Sequence, residues 1–113
     1  MKGLLNSFVY ALNGIRYMLV KERNFRIHVT AICFVLYFSV IYGLPPFQYS
    51  VLILLLSLVP ALELINTAIE KTVDIKAKEY DENAKIAKDA SAGAVLVLSI
   101  GAVGIAITLF SDL

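Results

Sequence analysis

Three stretches of the chain contain no Asp, Glu, Lys or Arg: residues 27–44, 47–62 and 90–111. A membrane-spanning helix needs about 17–25 mostly apolar residues. The first stretch ends at Pro45-Pro46, and the third runs to Ser111. The second is apolar up to Leu62 and then meets Glu63, Asn66, Thr67, Glu70 and Asp74. Counted from Glu63 these polar positions follow at offsets of 3, 4, 7 and 11. On an α-helix they fall within one arc of roughly 100°, so the helix is expected to continue through them to about residue 73. Spans are thus predicted at 27–44, 47–73 and 90–111, with a charged loop at 74–89.

The first 26 residues follow another pattern. Leu5, Phe8, Leu12, Ile15 and Leu19 recur at helical spacing, and Lys2, Asn6, Asn13 and Arg16 mark the opposite side. This predicts an amphipathic helix lying in the membrane interface; a fourth, partly buried helix of the bundle is the alternative. Residues 21–26 (Lys-Glu-Arg-Asn-Phe-Arg) form a polar hinge into the first span. The fold class expected is all-α, an integral membrane protein in a single domain. In the third span, Ala90, Gly93, Ala94, Val97, Gly101 and Gly104 form a face of mostly small residues. Such faces let transmembrane backbones approach closely, within one chain or between copies. Three short spans give a site few walls, and a homo-oligomer is expected.

Composition agrees: 59% of the residues are hydrophobic and mean hydropathy is +0.79, beyond the soluble range. A net charge of +1 excludes a nucleic-acid-binding polycation. Cys33 is the only cysteine, which rules out an internal disulfide and suggests no metal cluster. No secretory signal is expected, because Asn13, Gly14 and Arg16 interrupt the first apolar stretch. All ten basic residues precede the first span or flank the 74–89 loop. The positive-inside rule then puts the N-terminus and that loop in the cytoplasm and Pro45-Pro46 outside.

Several chemistries lack their residues. Neither G-x-x-x-x-G-K-[ST] nor G-x-G-x-x-G occurs, so the common nucleotide cradles are missing. His28 is the only histidine and stands at a span entrance, where it reads as an interfacial histidine beside the snorkelling Arg26. Carboxylates and Lys88-Asp89 remain. Acids able to hold a divalent cation, a lysine for phosphate and a carboxylate beside an alcohol are the parts of phosphoryl transfer. Composition permits this reading without compelling it. A small transporter subunit would also place an acid in a membrane helix, although here the acids gather at one face. A pore would want polar residues along a whole helix. Without a ligand, Glu63 could equally snorkel to water, Glu22 and Glu70 could form surface ion pairs, and Lys88-Asp89 could belong to a helix cap.

The run 63–74, Glu-Leu-Ile-Asn-Thr-Ala-Ile-Glu-Lys-Thr-Val-Asp, closely resembles the signature of the prokaryotic diacylglycerol kinase family. Ala87-Lys88-Asp89 with Ala92-Gly93-Ala94-Val95, and upstream Gly14, Arg16, Glu22 and Phe25-Arg26, match its other motifs over nearly the whole chain. The resemblance implies a trimeric lipid kinase of the cell membrane, with MgATP at the cytoplasmic interface. By matching position, Glu63 looks like the catalytic proton acceptor, and Glu22 and Glu70 look like ligands of Mg²⁺. Tyr10, Glu22, Glu70, Glu79, Tyr80, Asp81, Lys88 and Asp89 would surround ATP. Arg16 and Glu63 would meet the lipid, and Asn66 would support Glu63.

The chain also departs from parts of the family. Gly3 stands near a position where some members have arginine, His28 where Gram-negative members tend to have an acid, and Ile75 where they have arginine. The run 22–28, Glu-Arg-Asn-Phe-Arg-Ile-His, looks like the Gram-positive branch whose usual lipid is undecaprenol. Diacylglycerol is the other lipid alcohol the family resemblance allows.

Overall fold

The computed structural model describes residues 2–111 and consists of four helices: α1 Lys2–Lys21, α2 Arg23–Tyr42, α3 Pro46–Lys76 and α4 Glu82–Phe110. No strand is present among the described residues. The last three helices are each long and apolar enough to cross a membrane, whereas α1 is not among them. The all-α, multi-pass architecture expected from the hydrophobic pattern is therefore present.

Local chemistry sets the boundaries. At Gly43 the backbone turns left-handed, with φ of 70°, and its N–H reaches the Ser39 carbonyl at 3.0 Å. A glycine tolerates that conformation without penalty, so α2 stops there. Pro46 then opens α3, at a position where the missing N–H costs nothing. Pro60 lies inside α3 and leaves the Leu56 carbonyl without its helical donor, which membrane helices tolerate.

α3 is 31 residues long, so it rises about 46 Å, well beyond a hydrocarbon core of about 30 Å. Its polar stripe begins roughly 25 Å along, at the far edge of such a core.

The expected 74–89 loop is much shorter. The connection between α3 and α4 is residues 77–81, and Lys85, Lys88 and Asp89 all lie within α4. Asp81 starts that helix by accepting a hydrogen bond from the Ala84 N–H at 3.1 Å. The Lys85–Asp89 pair then bridges successive turns. Charge density marked this segment as polar; the capping and ion pairing of those same charges make it helical. The hinge shrinks as well, to the single residue Glu22.

α3 packs chiefly on α4, and α2 packs on α1 and α3. Buried apolar side chains are few: Met18, Phe25, Leu44, Leu52 and Leu55. The α1 stripe of Leu5, Phe8, Leu12, Ile15 and Leu19 stays exposed in the single chain. Only Met18 of α1 is buried, which disfavours a fourth packed helix of the bundle. The small face of α4 is also uncovered: a Cβ built on Gly93, Gly101 or Gly104 would meet nothing within 4 Å.

Candidate active site

The corner between α1 and α2 is held by Arg26, whose Nη1 donates to the carbonyls of Leu19 at 3.0 Å and Val20 at 2.9 Å. These belong to the last turn of α1, where carbonyls lack helical partners. Met18 and Phe25 are buried at the same corner, with 3% and 4% exposure. Glu22 sits between the helices with extended backbone, and its side chain caps neither of them. Its carboxylate is left free and lines a pocket of about 320 Å³.

That pocket gathers side chains from every helix. The α1–α2 corner contributes Met18, Glu22 and Phe25, and α2 adds His28. Glu63, Asn66, Thr67 and Glu70 come from α3, while Ala92 and Val95 close the α4 side. Four of the five stripe residues thus share one cavity, as helical periodicity requires. The fifth, Asp74, turns instead to Lys88 on α4, at 2.8 Å.

Glu63 is 7% exposed, at the apolar end of the stripe. Burying a carboxylate is costly unless it is hydrogen-bonded. Here Glu63 Oε1 pairs with His28 Nδ1 across the α2–α3 interface. Glu63 Oε2 is buried with no partner, and so is Asn66 Oδ1. The Asn66 amide donates its other end to Glu70 Oε1 at 3.2 Å. An unpaired buried acceptor costs about 1–3 kcal/mol, so two of them in one cavity mark places for incoming donors. A hydroxyl reaching Glu63 Oε2 would satisfy one.

Among the described residues, no group of three His, Cys, Asp or Glu side chains could hold a metal ion by itself. Glu22 and Glu70 nevertheless line the same cavity as two hard oxygen donors. That donor set fits Mg²⁺, which commonly takes one or two carboxylates and completes its shell with phosphate and water.

A second pocket, of about 380 Å³, surrounds the 77–81 connection. It is lined by Asp74, Glu79, Tyr80, Asp81, Lys85, Lys88 and Asp89 among others. All five residues expected near a nucleotide from this end of the chain therefore converge. Asp81 already caps α4, and Asp89 is paired with Lys85 at 2.5 Å.

Tyr10 and Arg16 are exposed on α1 and line neither pocket. The partner of Glu63 was hidden from sequence reading, because His28 lies 35 residues away on another helix. The only signal was that a histidine stood at a span entrance. A second unforeseen link is Lys71, whose ammonium sits 5.7 Å from the Tyr17 ring centre and ties α3 to α1.

Residues 9–110 match the protein family described as prokaryotic diacylglycerol kinase. The chain is 46% identical over 102 residues to a diacylglycerol kinase of Synechocystis sp., an overlap of 89% of this chain and 58% of that one. It is 43% identical over 94 residues to the undecaprenol kinase of Bacillus subtilis, covering 83% of this chain and 76% of the relative. A diacylglycerol kinase of Sinorhizobium sp. is 37% identical over 99 residues, covering 88% and 72%. The chain thus spans a little over half the length of the Synechocystis relative.

Proposed function

This chain belongs to the prokaryotic diacylglycerol kinase family of membrane lipid kinases, and on that footing we propose that it transfers the ATP γ-phosphate to undecaprenol. The observation carrying the reading is Glu63, a buried carboxylate with one oxygen held by His28 and the other unpartnered. It shares its pocket with two further carboxylates suited to MgATP.

In the proposed step, the lipid hydroxyl gives its proton to Glu63 Oε2 as its oxygen bonds to the γ-phosphorus. The bond from that phosphorus to the β-phosphate oxygen breaks, and ADP leaves with the electron pair. Bound Mg²⁺ would neutralise charge on the phosphates, and Glu22 and Glu70 would hold it. Asn66 would hold Glu70 in place through the hydrogen bond its side-chain amide donates to Oε1. Lys88 and its neighbours in the second pocket would meet the nucleotide, with Lys88 exchanging Asp74 for phosphate. Tyr10 and Arg16, remote within one chain, would reach ATP or lipid at the membrane surface or across a contact between copies.

Support for undecaprenol comes from an apolar cleft of about 230 Å³ between α2, α3 and α4, lined by residues such as Ile32, Val35, Leu52, Leu56 and Val59. A prenyl chain needs walls of this kind and no partners for ester carbonyls. The Bacillus relative points the same way, whereas the Synechocystis and Sinorhizobium relatives favour diacylglycerol as the second reading. The exposed α1 stripe supports a helix lying on the cytoplasmic surface of the cell membrane, and the distribution of basic residues supports an N-terminus inside. The uncovered small face of α4 supports close packing between copies, as a trimer.

Offering both lipids in one micelle with MgATP is the direct test. A higher kcat/KM for undecaprenol is expected, with diacylglycerol turned over more slowly. Preference for diacylglycerol would transfer the assignment to the second reading, and failure to phosphorylate either would remove both.

A further inference from the structure

The α2–α3 contact contains a polar pair that the phosphoryl-transfer step leaves unexplained. We propose that His28 is a positioning residue for Glu63, an inference that rests on the lipid-kinase reading above. Three observations carry it. His28 Nδ1 bonds Glu63 Oε1, leaving Oε2 as the free oxygen. Asn66, the nearest polar residue along the stripe, donates to Glu70 and leaves Glu63 to His28. His28 is also the one side chain that lines both the polar pocket and the apolar cleft between α2, α3 and α4. A lipid alcohol whose tail occupies that cleft presents its hydroxyl at the imidazole and at the carboxylate it holds.

A carboxylate without such a partner can rotate and spread its position. Pinning one oxygen from a neighbouring helix fixes where the other lies relative to the hydroxyl. The groups around the pair are consistent with this. Glu22 faces the same pocket from the α1–α2 corner and Glu70 faces it from α3. Met18 of α1 and Ala92 and Val95 of α4 carry no charge. Among the described residues, His28 is thus the only nitrogen base lining the cavity. During the transfer the lipid proton goes to Oε2, and the imidazole keeps its N–H on Oε1. His28 neither gains nor loses a proton.

The test uses the full chain in lipid-containing micelles. Asparagine places an amide N–H close to where Nδ1 sits, glutamine places one further out, and leucine offers none. His28→Leu should lower kcat about 10- to 100-fold, the effect of losing a hydrogen bond to a charged group, with the KM for ATP little changed. His28→Asn should recover most of the loss and His28→Gln should not. Because His28 is the only histidine, a chain prepared without added histidines gives a single imidazole signature in nitrogen NMR. That Nδ1 resonance should move on Glu63→Gln, a readout independent of turnover. An unmoved resonance, wild-type kcat in His28→Leu, or asparagine no better than leucine would each overturn the role of His28. Full turnover in Glu63→Gln would instead overturn the assignment of Glu63 as base, and with it the reading on which the inference rests.

Discussion

The two polar pockets of this protein are similar in size and both are lined by acids, yet they treat charge in opposite ways. In the pocket at the α1–α2 corner, Glu63 is almost wholly removed from solvent and its one partner comes from a different helix. Around the 77–81 connection, the paired side chains Lys85, Asp89, Lys88 and Asp74 retain between 41% and 65% of their exposure. Exposed ion pairs are worth little and dissolve readily in favour of a better partner. A buried carboxylate keeps its partner, because losing it would leave an uncompensated charge. The first arrangement suits a group that must be in place when a bond forms. The second suits charges free to exchange partners, as the proposed nucleotide contact would need.

This contrast can be broken by substitution, and the largest effect is expected at its buried end. Glu63→Gln removes the proposed proton acceptor while keeping its size. General-base assistance is worth about 10²–10⁴-fold, so kcat should fall within that range in a folded preparation while ATP still binds. Retained turnover would place the chemistry elsewhere in the pocket. Next come Glu22→Gln and Glu70→Gln, each expected to raise the Mg²⁺ concentration for half-maximal rate about tenfold. The double variant should show less than the product of the two, since both would serve one ion. Independent, multiplying losses in a Mg²⁺ titration would separate the two carboxylates into different roles.

Smaller effects are expected in the exposed pocket. Lys88→Ala should raise the KM for ATP about tenfold and leave kcat within a few-fold, as for loss of a charge-assisted contact made equally in ground and transition states. A loss confined to kcat would bring Lys88 into the chemical step and weaken the distinction between the pockets. The smallest change belongs to Lys85→Ala, which removes a bridge between successive turns of α4. It should shift the thermal midpoint by no more than about 2 °C. A large drop would mean that the exposed pairs hold the fold together rather than wait for ligand.

Much of this architecture was legible along the chain because its causes are local. Uncharged runs of spanning length, Gly43 and the prolines after it, and the confinement of basic residues to two regions act through nearest neighbours or through the membrane itself. The gathering of Glu63, Asn66, Thr67 and Glu70 in one cavity follows from helical periodicity alone. The segment 74–89 is different, because its dense charge predicts a loop. The Asp81 cap and the i,i+4 pair Lys85–Asp89 turn most of it into the first two turns of α4.

The sequence by itself determined four helices, three of them fit to cross a membrane, and an acidic face at the end of α3. Which side chains complete that face was a tertiary decision. Periodicity places residues around one helix axis but says nothing about how far a neighbouring helix is rotated or shifted against it. The rotation that meets Glu63 with His28, the Arg26 clasp at the corner where Glu22 enters the pocket, and the turning of Asp74 toward Lys88 all arise from contacts between different helices. Such contacts form only when packing fixes the helices against one another, which is why a lone histidine at a span entrance gave no sign that it holds the carboxylate.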